Sequence, residues 1–296
     1  RKGYNRAFAA AITAGGSLVT PIIPPGIALI IYGLVADVSI GKMFIAGLVP
    51  GLLCAVVLMF TVYLVARKTN AKPSRESWPT GKEVVFSLGQ AWPALFLIFA
   101  VVGGIRANIF TPTEAGAAAV LIVLAIGFFI YREMRISHVV KALGETARAT
   151  ASVMLVIMAS AALGWIFSME HAGVAVANFV TSLTENKYMF LLIINILLLT
   201  LGMFLEGNAI LLILVPLLKP VVEHFGIDPV HFGIIMIFNL SIGAFTPPVG
   251  TVMLLVCNIT QVSVGNFFKQ SLPLLAALLL MLMLVTYIPA ISLFLV

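Results

Sequence analysis

Ser241-Ile-Gly-Ala-Phe-Thr-Pro-Pro-Val-Gly-Thr251 stands in the middle of an apolar, membrane-length segment that runs from His231 to Val256. Such a stretch cannot be continuous helix. Pro247 and Pro248 have no N–H and crowd the preceding turn, so carbonyls between Gly243 and Thr246 lose their helical donors in a medium that supplies no water. The freed oxygens need partners, and at a broken helix in a membrane these are a neighbouring helix, a Ser/Thr hydroxyl or a coordinated cation.

The same device opens the chain. Gly15-Gly-Ser-Leu-Val-Thr-Pro-Ile-Ile-Pro-Pro-Gly26 interrupts an apolar span from about Ala7 to Leu34. Setting Pro24-Pro25 on Pro247-Pro248 gives an offset of 223 residues, which also puts Gly3 on Gly226 and Pro50 on Pro273. With one residue of slippage, Val38-Ser-Ile-Gly-Lys-Met-Phe44 lies over Val262-Ser-Val-Gly-Asn-Phe-Phe268. A second register sets Gly16, Val19 and Pro21 on Gly243, Thr246 and Pro248, and the sequence leaves both open. In either register a broken helix, its connector and the next helix are repeated, and paired interrupted segments mark a transporter's binding site.

Composition fits. With 61% hydrophobic and 9% charged residues and a mean hydropathy of +1.15, the chain is an all-α polytopic membrane protein. A β-barrel would alternate over short strands, whereas Met43–Ala66 is apolar all round. The net charge of +6 is topogenic and implies no nucleic acid, because Lys and Arg sit between the spans. Cys54 and Cys257 have neither metal nor disulfide spacing and read as packing residues. The opening Arg1-Lys-Gly-Tyr4 has no start Met or signal peptide and reads as a piece of a longer protein.

The predicted spans are about 7–34 (broken), 43–66, 84–104, 113–131, 149–168, a helical pair 188–205 and 208–223, 231–256 (broken) and 270–295. With the N-terminus in the cytoplasm, thirteen Lys and Arg fall inside and four (Lys42, Arg106, Lys187 and Lys219) outside. The two broken helices then run in opposite directions, an inverted-topology repeat. This gives three segments: 1–42, the first broken helix; 43–148, scaffold-type helices and loops; and 149–296, the second repeat with hairpin 188–223, broken helix 231–256 and the last helix. The hairpin's second arm, at about 16 residues or roughly 24 Å, is short for a hydrocarbon core of about 30 Å, which favours a re-entrant hairpin with Glu206-Gly207-Asn208 at its tip.

Other polar residues have structural readings. Thr111-Pro-Thr-Glu114 is a capping box, Asp228-Pro229 an N-cap, and Arg67–Lys82 a cytoplasmic loop with Trp78 as interfacial anchor. His138, His171, His224 and His231 share no metal spacing and are assigned no chemistry. Gly47, Gly51, Gly103 and Gly104 would permit close packing against a further membrane subunit.

Taken with Gly202-Met-Phe-Leu-Glu-Gly-Asn208 and Ile109-Phe-Thr-Pro-Thr-Glu-Ala115, these motifs make the whole chain resemble the large membrane subunit of TRAP (tripartite ATP-independent periplasmic) transporters, the DctM-like family. The resemblance implies an elevator-type transporter of the bacterial inner membrane with two inverted repeats. It further implies a four-helix small membrane (Q-type) subunit, a periplasmic binding protein (P subunit) that delivers an organic acid such as sialic acid or a C4-dicarboxylate, and sodium as coupling ion, with no other cofactor. Family members carry a first hairpin just upstream of the Lys-x-Gly-Tyr stretch. At the second tip many relatives have Asp and small hydroxyl residues where this chain has Glu206-Gly207-Asn208.

The expected substrate contacts are Glu206, Gly207, Asn208 and the proline pairs Pro24, Pro25, Pro247 and Pro248. Sodium, a hard cation, suits oxygen ligands. Its expected donors are the carbonyls of Gly243, Thr246 and Val249, the Thr246 hydroxyl and backbone near Gly202 or Gly207, with Gly16, Ser17, Val19, Thr20 and Pro21 as counterparts at the first break. Glu206 would neutralise the ion at longer range or pair with Lys219. A one-component sodium/dicarboxylate symporter, or a passive channel, would also use broken helices. An enzyme would need a convergent catalytic set inside the membrane, and apart from Glu206 no span interior carries one.

Overall fold

A computed structural model describes residues 5–68, 80–107, 109–170 and 172–296. Gly3, Arg1, Lys2, Lys72, Arg75, Trp78 and His171, which entered the sequence reading, lie outside them. The described residues are helical with turns, and no strand occurs among them. Among the described residues six helices are long and apolar enough to cross a membrane, and a bent pair makes a seventh. By contact the chain divides into Arg1–Lys72 with Ser160–Val296, and Pro73–Ala159.

In the smaller unit, α4 (Gly81–Arg106) bends by 55° at Pro93 and packs on α5 (Pro112–Ala125), which continues as a π-helical turn over Ile126–Ile130. Span 84–104 is therefore a third interrupted segment, read from sequence as straight. Pro93 removes one backbone donor and crowds the turn before it, and the helix bends there. The capping box forms as expected: Thr111 N donates to Glu114 Oε2 at 2.8 Å and Glu114 N to Thr111 Oγ1 at 3.3 Å. Phe86, Phe99, Phe129 and Leu155 are exposed, a surface suited to lipid and not to water. Helix α6 (Ile136–Met169) starts well before its apolar run, where Lys141 and Glu145 pair across one turn at 3.9 Å.

The larger unit holds both breaks. Helices α1 (Arg6–Ser17) and α2 (Ile27–Ala36) form the first broken span, followed by α3 (Ile40–Lys68). After α7 (Ala172–Leu183) come the hairpin arms α8 (Lys187–Phe204) and α9 (Gly207–His224), and α9, at 18 residues against the roughly 16 expected, is like α8 long enough to cross a membrane. The second broken span is α10 (Pro229–Phe245) and α11 (Thr251–Thr260), followed by α12 (Val264–Tyr287) and a short α13 (Ala290–Leu293). Helix α7 was not foreseen. Its run Ala172–Leu183 is too short to read as a span, and packing on α9 holds it, with Gly173 against Pro220.

The structure settles the repeat register. Asn5 caps α1 through bonds from Ala7 N (2.9 Å) and Phe8 N (3.4 Å), and Asp228, 223 residues on, caps α10 through Val230 N (2.8 Å) and His231 N (3.1 Å). Pro24-Pro25 and Pro247-Pro248, at the same offset, are the two cis peptide bonds of the described residues. From Gly26 and Gly250, the residues that cap α2 and α11, the offset is 224, and it still is at the left-handed Asp37 (φ 60°) and Gln261 (φ 54°). Val249 is the inserted residue. Helix α1 also loosens into tight turns over 18–22, where α10 stays helical over 241–245.

The broken spans pack antiparallel: the end of α2 meets the start of α10, while α1 lies on α11 and α12. Tyr32 Oη donates to Pro229 O at 2.6 Å, and the Tyr32 ring fills the space that Gly233 leaves open. Tyr32→Phe removes that buried bond and should cost about 1 kcal/mol, read as a lower melting temperature of the purified protein with its oligomeric profile unchanged.

Gly47 and Gly51 do not serve a partner surface. A Cβ at Gly47 would strike the Ile22 carbonyl and one at Gly51 would lie 2.5 Å from Ile23 Cγ1, so both seat the first break on α3. Gly104 is likewise filled by Phe110, and Gly103 stays open. Cys54 and Cys257 are buried, as expected of packing residues.

Candidate functional site

The second break is built around α10, whose residues are buried at fifteen of seventeen positions. A helix apolar on all sides must be enclosed, and α8 runs parallel to it along one flank. The two backbones touch at glycines. A Cβ on Gly243 would lie 2.6 Å from both Cα and C of Gly202, and one on Gly202 would lie 3.2 Å from Gly243 Cα. Gly207, beyond the tip, meets Leu240.

Helix α10 ends at Thr246, which is extended (φ −103°, ψ 136°) because a proline follows. The prolines remove the helical donors that Gly243 O and Ala244 O would otherwise have. Thr246 N takes up Gly243 O at 3.0 Å, and the buried Thr246 hydroxyl turns back to Ile242 O at 2.8 Å. That bond uses the hydroxyl's proton and leaves its lone pairs free.

Gly250 completes the arrangement. Its N–H donates to Met203 O on the hairpin at 3.0 Å, joining the break to the end of α8. The carbonyl oxygens of Thr246 and Ala244 lie 2.6 and 3.1 Å from the place where a Cβ on Gly250 would stand. Among the described residues no N–H is bonded to either oxygen. Two carbonyls without N–H donors thus lie side by side against Gly250 (φ +38°), where a Cβ would not fit, and one of them belongs to Thr246, whose hydroxyl has spare lone pairs. Such a donor set fits a small hard cation. Sequence reasoning missed Gly250 and the Ala244 carbonyl, although the repeat of Gly26 at Gly250 carried the signal.

Glu206 caps α9. Its Oε2 accepts from Ala209 N at 2.9 Å and its Oε1 from Asn208 Nδ2 at 2.7 Å, so the tip's carboxylate and amide hold each other. The alternative pairing with Lys219 is not made: Lys219 is twelve residues into α9, about 18 Å along it, and lines a separate cavity with Asp37 and Glu223. Pro248 and Val249 are exposed beside the buried Thr246.

At the first break Ser17 Oγ donates to Ala14 O at 2.8 Å, and Pro21 O lies 2.5 Å from where a Cβ on Gly26 would stand. Gly16 and Val19 face an apolar cleft between α1, α3 and α12, with Leu58 and Leu274. Ser17 and Thr20 are exposed. Among the described residues no hydrogen bond joins the two breaks.

Two repeated breaks with matched caps, one of them closed by a hairpin, are transporter architecture, and comparison with known sequences gives the family. A family model described as "Tripartite ATP-independent periplasmic transporter, DctM component" matches residues 1–291. The chain belongs to this family. It is a TRAP transporter large permease, a multi-pass protein of the bacterial inner membrane and not an enzyme. The permease is 40% identical over 297 residues to the "C4-dicarboxylate TRAP transporter large permease protein DctM" of Pseudomonas aeruginosa, a match covering 99% of this chain and 68% of that one. It is 38% identical to the "Sialic acid TRAP transporter large permease protein SiaM" of Vibrio cholerae, with 99% and 68% covered. It is also 38% identical to the "Isethionate TRAP transporter permease protein DctMQ" of Oleidesulfovibrio alaskensis, with 99% of this chain and 46% of the relative covered.

Proposed function

We propose that the permease imports a small organic acid anion together with sodium, by an elevator movement of the part that carries the hairpin and the breaks. The observation that carries this reading is the pair of carbonyls, of Ala244 and Thr246, that the Pro247-Pro248 break leaves side by side without N–H donors. These oxygens suit sodium, and the nearby tip Glu206-Gly207-Asn208 with Pro247 and Pro248 borders the space for substrate. The named relatives handle C4-dicarboxylates, sialic acid and isethionate, which supports an acid as cargo without selecting one. A small membrane subunit and a periplasmic binding protein would complete the system, and a fused relative such as DctMQ supports the first of these.

The test is uptake of a panel of labelled acids into vesicles holding the full-length permease, its small subunit and its binding protein. Initial rates should rise at least about tenfold when an inward sodium gradient replaces a potassium gradient, the factor that 1.4 kcal/mol of coupling gives. Saturable uptake that persists without the binding protein would assign the chain to one-component symport. Non-saturable flux would make it a channel.

A further inference from the structure

Below the break lies a polar cluster that transport as proposed does not use. Asn239 on α10 donates through Nδ2 to Asn195 Oδ1 on α8 at 2.7 Å and to Ile235 O at 2.8 Å. Asn195 Nδ2 donates to Thr286 Oγ1 on α12 at 3.0 Å. All three residues are buried. The chain of contacts continues on the far side of Thr286. Its carbonyl, near the Pro289 break that ends α12, lies 3.3 Å from His231 Nε2, and His231 Nδ1 lies 2.6 Å from Ser292 Oγ.

We propose that Asn195 and Asn239 are positioning residues, which set the axial register of α8 on α10 and thereby bring the hairpin to the break. This rests on the break being the transport site. The seam between the helices has three contacts in order: Phe190 with Phe232 (ring centroids 6.5 Å apart), Asn195 with Asn239, and Gly202 with Gly243. Asn195 precedes Gly202 by seven residues and Asn239 precedes Gly243 by four, so on each helix the amide and the glycine share a face. Apolar side chains on two such helices can slide past one another, and in lipid no hydrophobic term opposes the slip. The amide pair is the one side-chain hydrogen bond across this seam among the described residues, and it is directional. A slip of one turn would put a side chain where only Gly243 fits and would break the bond from Gly250 N to Met203 O.

The pair is not built for greatest stability. Asn239 Oδ1 is buried with no partner, an orphan that leucine at 239 would remove. What the amides add is specificity of alignment, as a buried asparagine does in coiled coils.

A disulfide probe reads the register without reference to sodium. A Cβ at Gly207 lies 3.4 Å from Leu240 Cβ, close to disulfide spacing. The double variant Gly207→Cys/Leu240→Cys, in the full-length permease with Cys54 and Cys257 replaced by alanine, should crosslink nearly completely on mild oxidation. Adding Asn195→Leu/Asn239→Leu should lower the crosslinked fraction at least about fivefold while folded yield is kept, because the two amides have gone together and the Thr286 hydroxyl, which loses Asn195 Nδ2, can turn back to a carbonyl of its own helix. Undiminished crosslinking in that background overturns the proposal. In the cysteine-unmodified permease, Asn195→Leu/Asn239→Leu should also raise the sodium concentration for half-maximal uptake. Lost crosslinking with unaltered sodium dependence would uphold the positioning role and instead refute sodium at the break. Asn239→Leu alone, which leaves Asn195 Oδ1 unpaired, separates the two effects: its folded yield should fall below that of the double variant.

Discussion

Gly243→Ala should cut uptake severely, with the permease still present in the membrane. The methyl would lie 2.6 Å from Cα and C of Gly202 and 3.0 Å from its carbonyl oxygen. These are backbone atoms at the end of a helical arm and cannot swing aside as a side chain can. Relief requires that α8 move off α10, and overpacking of this kind costs about 1–3 kcal/mol. The functional loss should be larger than the loss of stability, because the separation pulls Met203 O from Gly250 N and so loosens the turn that holds the two free carbonyls. Gly202→Ala is the internal control. Its methyl would meet Gly243 Cα at 3.2 Å and Leu240 Cα at 3.4 Å, contacts that yield with a shift of a few tenths of an ångström. Initial rates at matched membrane abundance should order as unaltered, Gly202→Ala, then Gly243→Ala, the last down by roughly tenfold or more. Equal rates for all three would mean that the glycine crossing does not hold the site.

Much of this architecture is legible in the sequence, because membrane spans impose long apolar runs and a Pro-Pro pair inside such a run breaks a helix whatever surrounds it. Thr111 and Asp228 announce their caps for an equally local reason. What escapes depends on tertiary contacts. Helix α7 has no apolar run of spanning length and forms against α9. The first part of α6 is polar and was read as loop, yet its charges at Lys141 and Glu145 fit helical spacing. Gly47 and Gly51 looked like a partner surface, since sequence cannot tell a glycine that meets another chain from one that meets its own Ile22 carbonyl. The register at the breaks stayed open because the alignable residues are few, and it took two caps, two proline pairs and one inserted valine to close it.

The candidate site divides the same way. Thr246 and Gly243 are visible as residues of a break, but which oxygens remain free is a matter of bonds. Gly243 O, an obvious candidate in sequence, accepts from Thr246 N and keeps one lone pair, whereas Ala244 O, which has no distinguishing neighbour, accepts from no N–H among the described residues. The carboxylate of Glu206, attractive as a counter-charge, is engaged in capping α9.

Thr246→Val should raise the sodium concentration for half-maximal uptake. Valine keeps the branched shape and removes the side-chain oxygen of the residue that supplies one of the two free carbonyls. If that oxygen is a ligand, the bound ion loses a partner in a buried place, a loss of about 1–3 kcal/mol, or roughly five- to hundredfold in half-saturation. The same change also takes the donor from Ile242 O, so a fall in stability alone would prove little. Thr246→Ser resolves this. Serine keeps the hydroxyl, its bond to Ile242 O and its lone pairs, and loses only a methyl in a residue already 8% exposed. Near-normal half-saturation in Thr246→Ser, set against the shift in Thr246→Val, would place the hydroxyl oxygen on the ion. A maximal rate lowered in Thr246→Val with half-saturation unmoved would take it off, and the Ala244 and Thr246 carbonyls, whose positions depend on the prolines and on Gly250, would then carry sodium without it.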